Sequence, residues 1–118
     1  MKELTIIQKT HDFILWYVPI LKKLPREDKF TLGDRMINQL LDILEGLIEA
    51  RFWPNKVEKL EKLQKINIKL EVLRHQTRFL LEYHHMSTDR YEYVSKLTND
   101  IGVELGGWIK QQTQTNKK

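Results

Sequence analysis

Between Leu63 and Leu80 one stripe of the chain runs Leu63, Ile66, Leu70, Leu73, Thr77 and Leu80, spaced three, four, three, four and three. This spacing excludes a strand, where side chains alternate every second residue, and describes the buried seam of a helix packed in a bundle. The same rhythm recurs along the chain, interrupted at three short breaks. The first segment, from about Glu3 to Leu24, carries Leu4, Ile7, Phe13, Ile14, Tyr17, Ile20, Leu21 and Leu24. Pro19 lies inside it and is expected to kink it, because the apolar pattern resumes at once. The second carries Leu40, Leu41, Ile43, Leu44, Leu47 and Ile48 and stops before Pro54. It has two possible starts. In one, Pro25 is the first residue, with Glu27 and Asp28 at the positive end of the helix dipole. In the other, Thr31 and Asp34 form a capping pair. The earlier start is preferred. The third segment runs from about Asn55, a candidate cap, to His84. The fourth starts at a Ser87 or Thr88 cap and presents Val94, Leu97, Ile101, Leu105 and Trp108 on one face.

Four long helices with short connections imply antiparallel neighbours. The expected fold is therefore an all-α, up-down-up-down four-helix bundle. The 118 residues, with 5 Gly and 3 Pro, leave little chain for turns and form one domain over 1–118, with a polar tail expected to fray over about 111–118. A content of 41% hydrophobic and 31% charged residues is that of a globular protein. The apolar run Phe13–Leu21 is far shorter than the roughly 20 residues that span a bilayer. His11 and Asp12 before it, and the lack of a small-residue cleavage site after it, argue against a secretory leader.

The chain has no cysteine, which removes disulfides, thiolate catalysis and cysteine-based zinc sites, and fits a reducing cytoplasm. Glu82 and His85 have the spacing of one half of a carboxylate-bridged di-iron site, but the second pair and the further inward glutamates are missing. His84 and His85 are adjacent, so their side chains diverge on a helix. No phosphate loop and no ordered catalytic triad occurs. The expectation is a protein without enzymatic activity, metal or cofactor.

Two features point instead to binding. Ile68, Val72 and Phe79 form a second apolar stripe on the third helix, about 200° around from the first at 100° per residue. One helix face cannot enter the same core twice, so this stripe is expected to meet another subunit. Gly46 in the second helix is expected to allow a close backbone approach. The basic residues are concentrated on the third helix. From Lys56 to Arg78, the cations Lys56, Lys59, Lys62, Lys65, Lys69, Arg74 and Arg78 stand against Glu58, Glu61 and Glu71, so seven cations less three carboxylates equal the +4 of the whole chain. Glu58–Lys62 and Glu61–Lys65 have helix-stabilising spacing. Arg74 and Arg78 stand one turn apart with no acid four residues before either, an arrangement suited to clamping phosphates or an acidic surface.

The run Leu24-Pro25-Arg26-Glu27-Asp28-Lys29-Phe30-Thr31-Leu32-Gly33-Asp34-Arg35, followed by Leu40-Leu41-Asp42-Ile43-Leu44-Glu45-Gly46-Leu47-Ile48-Glu49-Ala50-Arg51, resembles the accessory variability determinant proteins of diversity-generating retroelements. The resemblance extends to Trp16 and Pro19 before it and to Gly106-Gly107-Trp108 near the end. It implies a bundle assembled as a barrel-like homopentamer with a basic surface. It also implies association with the element's reverse transcriptase and with RNA or DNA, in support of error-prone cDNA synthesis. Under it, Arg74, Arg78, Lys62, Lys65, Lys69, Arg26 and Arg35 are the expected contacts to nucleic acid or the reverse transcriptase. Ile68, Val72 and Phe79 are the expected subunit contacts. A related family, the bundle proteins encoded in intervening sequences of 23S ribosomal RNA genes, shares the rhythm seen here as Leu24-Pro25-Arg26-Glu27. This chain departs from that family's pattern at Thr31–Arg35 and has no counterpart to the family's later Ser-Ile-Pro segment. Phe30 and Thr31 are expected to be structural, with Phe30 acting as a staple at the helix start.

Overall fold

The computed structural model describes residues 2–116, and all the long elements are helices: α1 (Lys2–Lys22), α2 (Asp34–Phe52), α3 (Lys56–Glu82) and α4 (Thr88–Asn116). A helix of 27 residues is about 40 Å long at 1.5 Å per residue, and the molecule measures 50 × 24 × 20 Å. Consecutive helices pack on each other, and α1 closes the square against α4. This is the four-helix bundle that the periodicity predicts.

The seam on α3 is buried throughout, from Leu63 to Leu80, and it meets Met36, Leu40, Ile43 and Leu47 of α2 and Val94, Ile101, Leu105 and Trp108 of α4 in one core. On α1 the buried residues are Ile6, Phe13, Tyr17 and Leu21. Leu4, expected inside, is exposed, and Ile6 takes the place expected of Ile7, which is half-buried. Pro19 sits within an unbroken α1. Two polar residues inside the core satisfy each other: the Tyr17 and Thr77 hydroxyls are 2.9 Å apart. An unpaired hydroxyl at that depth would cost about 1–3 kcal/mol.

The entry to α2 is helical from Arg26, one residue after the earlier of the two expected starts, with Pro25 at the cap position and not the first helical residue. Residues Lys29–Gly33 then widen into a π turn before α2 proper. Thr31 does not cap. Its hydroxyl donates back to the Glu27 carbonyl at 2.8 Å, as a threonine inside a helix does. Phe30 is not a staple either, since it is 59% exposed, with the Lys29 ammonium 5.8 Å from its ring centre. The tightly held residue of this block is Gly33. A Cβ there would lie 3.2 Å from the Leu21 carbonyl oxygen and 3.3 Å from the Leu24 side chain.

The remaining helix ends follow the local chemistry. Asn55 caps α3 by accepting the Glu58 N–H at 3.0 Å, and Ser87 caps α4 by accepting the Arg90 N–H at 3.1 Å. At the end of α3, His85 N–H reaches the Leu80 carbonyl and His84 N–H the Leu81 carbonyl, at 2.8 and 3.0 Å. This is a Schellman termination, with His84 at φ 65° in the place usually held by glycine. Helix α4 continues through the polar stretch expected to fray, as far as Asn116, and the Thr113 hydroxyl donates to the Ile109 carbonyl at 2.9 Å. Lys117 and Lys118 lie outside the described residues.

Candidate functional site

The basic residues expected to act together divide between two flanks of α3 and the entry to α2. Lys62, Lys65 and Lys69 face α2. They line a groove of about 260 Å³ with Asp42, Glu45 and Glu49 on its far wall. The Lys62 ammonium lies 2.7 Å from a Glu49 carboxylate oxygen and 4.1 Å from the Trp53 ring centre. The Lys69 carbonyl accepts from the Gln39 amide at 2.8 Å. These lysines therefore line one side of a groove whose other side is acidic, and the Lys62 charge is compensated across the helix pair. Gly46 opens this contact as expected, since a Cβ there would sit 3.0 Å from Ile66.

Arg74 lies on the other flank, toward α4, and Arg78 stands exposed one turn further along α3. Both have acidic neighbours, at spacings other than the one the sequence reading tested. Arg74 Nη1 is 3.1 Å from Glu71 and Arg78 Nε is 3.6 Å from Glu82. His75 also approaches Glu71, at 3.8 Å. Such exposed pairs are weak, about 0–1 kcal/mol, and exchange readily for a stronger anion. Arg74 is half-buried, and its guanidinium lies across Gly102 of α4. There it closes a pocket of about 290 Å³ whose α4 wall includes Tyr91, Ser95 and Asn99. The sequence reading missed these three. Their spacing of four, which puts them on one helix face, was the signal that could have revealed them.

Arg26 and Arg35 are exposed at the entry to α2. Beside them Asp28 holds His85 at 2.7 Å, which ties this turn to the loop between α3 and α4. His85 thus has a structural partner, and among the described residues no group of three or more His, Asp or Glu gathers to hold a metal.

The second apolar stripe faces outward, with Ile68 65%, Val72 43% and Phe79 44% exposed. Phe79 stacks on Tyr83, and Leu41, Ile48 and Phe52 of α2 are exposed as well. A further groove, of about 250 Å³, runs between α1 and α4, where Trp16 meets Tyr93 edge-on at 4.9 Å. The Lys9–Glu104 pair bridges the same two helices at 2.6 Å. The hydrogen bond to Glu104 holds the Lys9 ammonium above its usual pKa. No helix among the described residues is long and apolar enough to cross a membrane.

The fold is shared with a solved protein of unknown function from the S23 ribosomal protein family of Bacteroides thetaiotaomicron. The TM-score is 0.86 at 18% identity, covering 93% of this chain and 99% of that one. No curated protein matches the chain. Over residues 4–112, nearly all of the bundle just described, the sequence matches the bAvd-like family, and the chain belongs to that family.

Proposed function

We propose that this protein is a non-catalytic accessory factor of a diversity-generating retroelement. In this reading it assembles into a ring, with five subunits expected, through the outward stripe of Ile68, Val72 and Phe79. It holds the element's reverse transcriptase and RNA or DNA against its basic surface in the cytoplasm, and so supports mutagenic cDNA synthesis. Family membership across residues 4–112 is the observation that carries the proposal. The exposed apolar stripe and the net charge of +4 are what such an adaptor needs.

The likeness to the S23-family bundle favours a second reading, a protein of the 23S rRNA intervening-sequence type with a structural or nucleic-acid-binding role. Affinity capture separates the two. Tagged protein, co-expressed with a retroelement reverse transcriptase from the same genome, is expected to retain the enzyme in stoichiometric amount through a wash at moderate salt. Failure to retain it even at low salt removes the adaptor role and leaves the second reading.

A further inference from the structure

The pocket between α3 and α4 is polar, although the two helices otherwise meet through apolar side chains. Two of its hydroxyls are committed inside the bundle: Thr98 donates to the Val94 carbonyl at 2.8 Å and Thr77 is bonded to Tyr17. Tyr91, Ser95 and Asn99, whose side chains end in two hydroxyls and an amide, line the pocket together with Arg74. No carboxylate lines the pocket. Glu71 holds Nη1 from outside it. One guanidinium, two hydroxyls and an amide can all donate, and such a set suits an oxyanion.

Gly102 makes this arrangement possible. It is the next residue on the face that carries Tyr91, Ser95 and Asn99. A Cβ there would lie 2.6 Å from Arg74 Nη2, closer than side chains tolerate. Alanine at this position would push the guanidinium out of place. The bundle would keep its fold, because the displaced group is the end of a flexible side chain and alanine favours helix over glycine by about 1 kcal/mol.

We propose that this pocket holds a backbone phosphate of nucleic acid. Arg74 supplies the charge, Tyr91, Ser95 and Asn99 donate to the phosphate oxygens, and Gly102 is the positioning residue for Arg74. This assignment rests on the reading that the protein binds nucleic acid. A phosphodiester is favoured over the carboxylate of an acidic peptide for two reasons. Glu71 already offers Arg74 a carboxylate, so exchanging it for another gains little. A polyanion also engages Arg78 one turn away, and the counterions it releases add to affinity.

The test is fluorescence anisotropy of a labelled single-stranded RNA over a series of salt concentrations. Arg74→Ala and Gly102→Ala are each expected to bind about tenfold more weakly. Each should also lower the salt slope by about 0.7, the value for one lost single-strand phosphate contact. Helicity should stay at the wild-type level. Ser95→Ala with Asn99→Ala is expected to weaken binding without changing the slope, because neutral donors release no counterions. Wild-type affinity and slope in both Arg74→Ala and Gly102→Ala overturn the assignment. If Lys59→Ala with Lys65→Ala then weakens binding, the nucleic-acid reading stands with its contacts elsewhere. Wild-type protein that binds no RNA at low salt overturns both. Binding of a glutamate-rich peptide that depends on Arg74 and competes with RNA at equal affinity assigns the pocket to carboxylates and overturns the phosphate.

Discussion

Tyr17 occupies a core position on α1 and brings a hydroxyl with it. Burial holds its phenol above the ordinary pKa of 10.0, and the Thr77 hydrogen bond offsets this only in part. The folded state therefore keeps the proton after the unfolded chain has lost it. Stability is unaffected by this group below pH 10.0 and falls as pH rises beyond that value. Tyr17→Phe is expected to flatten the alkaline loss in a chemical-denaturation series, while costing about 1–3 kcal/mol at neutral pH because Thr77 is left unpaired. Adding Thr77→Val should recover part of that cost, and a strictly additive double mutant would show that the two hydroxyls are not coupled. From the sequence alone, Thr77 is legible as a seam position and Tyr17 as a core aromatic. Their bond spans 60 residues and is invisible to any local pattern.

Among the elements, α3 is the most legible, because its regular seam and its Asn55 cap agree. Its C-terminus is less so. The Schellman turn places His84 in the left-handed region, where a Cβ costs about 1–2 kcal/mol. His84→Gly is therefore expected to raise the thermal midpoint by several degrees in calorimetry, at about 4 °C per kcal/mol for a domain of this size. A lower midpoint would mean that the histidine side chain makes a contact worth more than the strain. The entry to α2 resists local reading for a different reason. Its Phe30 and Thr31 carry the signs of a staple and a cap, yet the packing of Gly33 beneath Leu21 and Leu24 decides the path of the chain, and a π turn absorbs the extra residue.

For the whole molecule, the question is what covers the outward apolar residues. Ile68, Val72 and Phe79 share an exposed face of α3, which is the proposed subunit contact. Light scattering at two salt concentrations is expected to report about five subunits for the wild type at both, since an apolar interface is little screened by salt. Ile68→Glu with Val72→Glu should give a folded monomer. A wild-type monomer at both concentrations would remove the ring and leave the stripe to a different partner.

The periodicity by itself determined four helices, their order, the short connections and the seam, because helix burial is encoded at spacings of three and four within each segment. It also determined that α3 is basic and carries a second apolar stripe. Only the tertiary structure decided what those charges face. Lys62, Lys65 and Lys69 turned out to line a groove opposite the acids of α2, while Arg74 lies over Gly102 and lines a pocket with Tyr91, Ser95 and Asn99 of α4. The neighbour of a side chain across a helix pair depends on the relative rotation and axial offset of the two helices. Both are set by how their core residues interlock, and neither is written in the spacing of one helix alone.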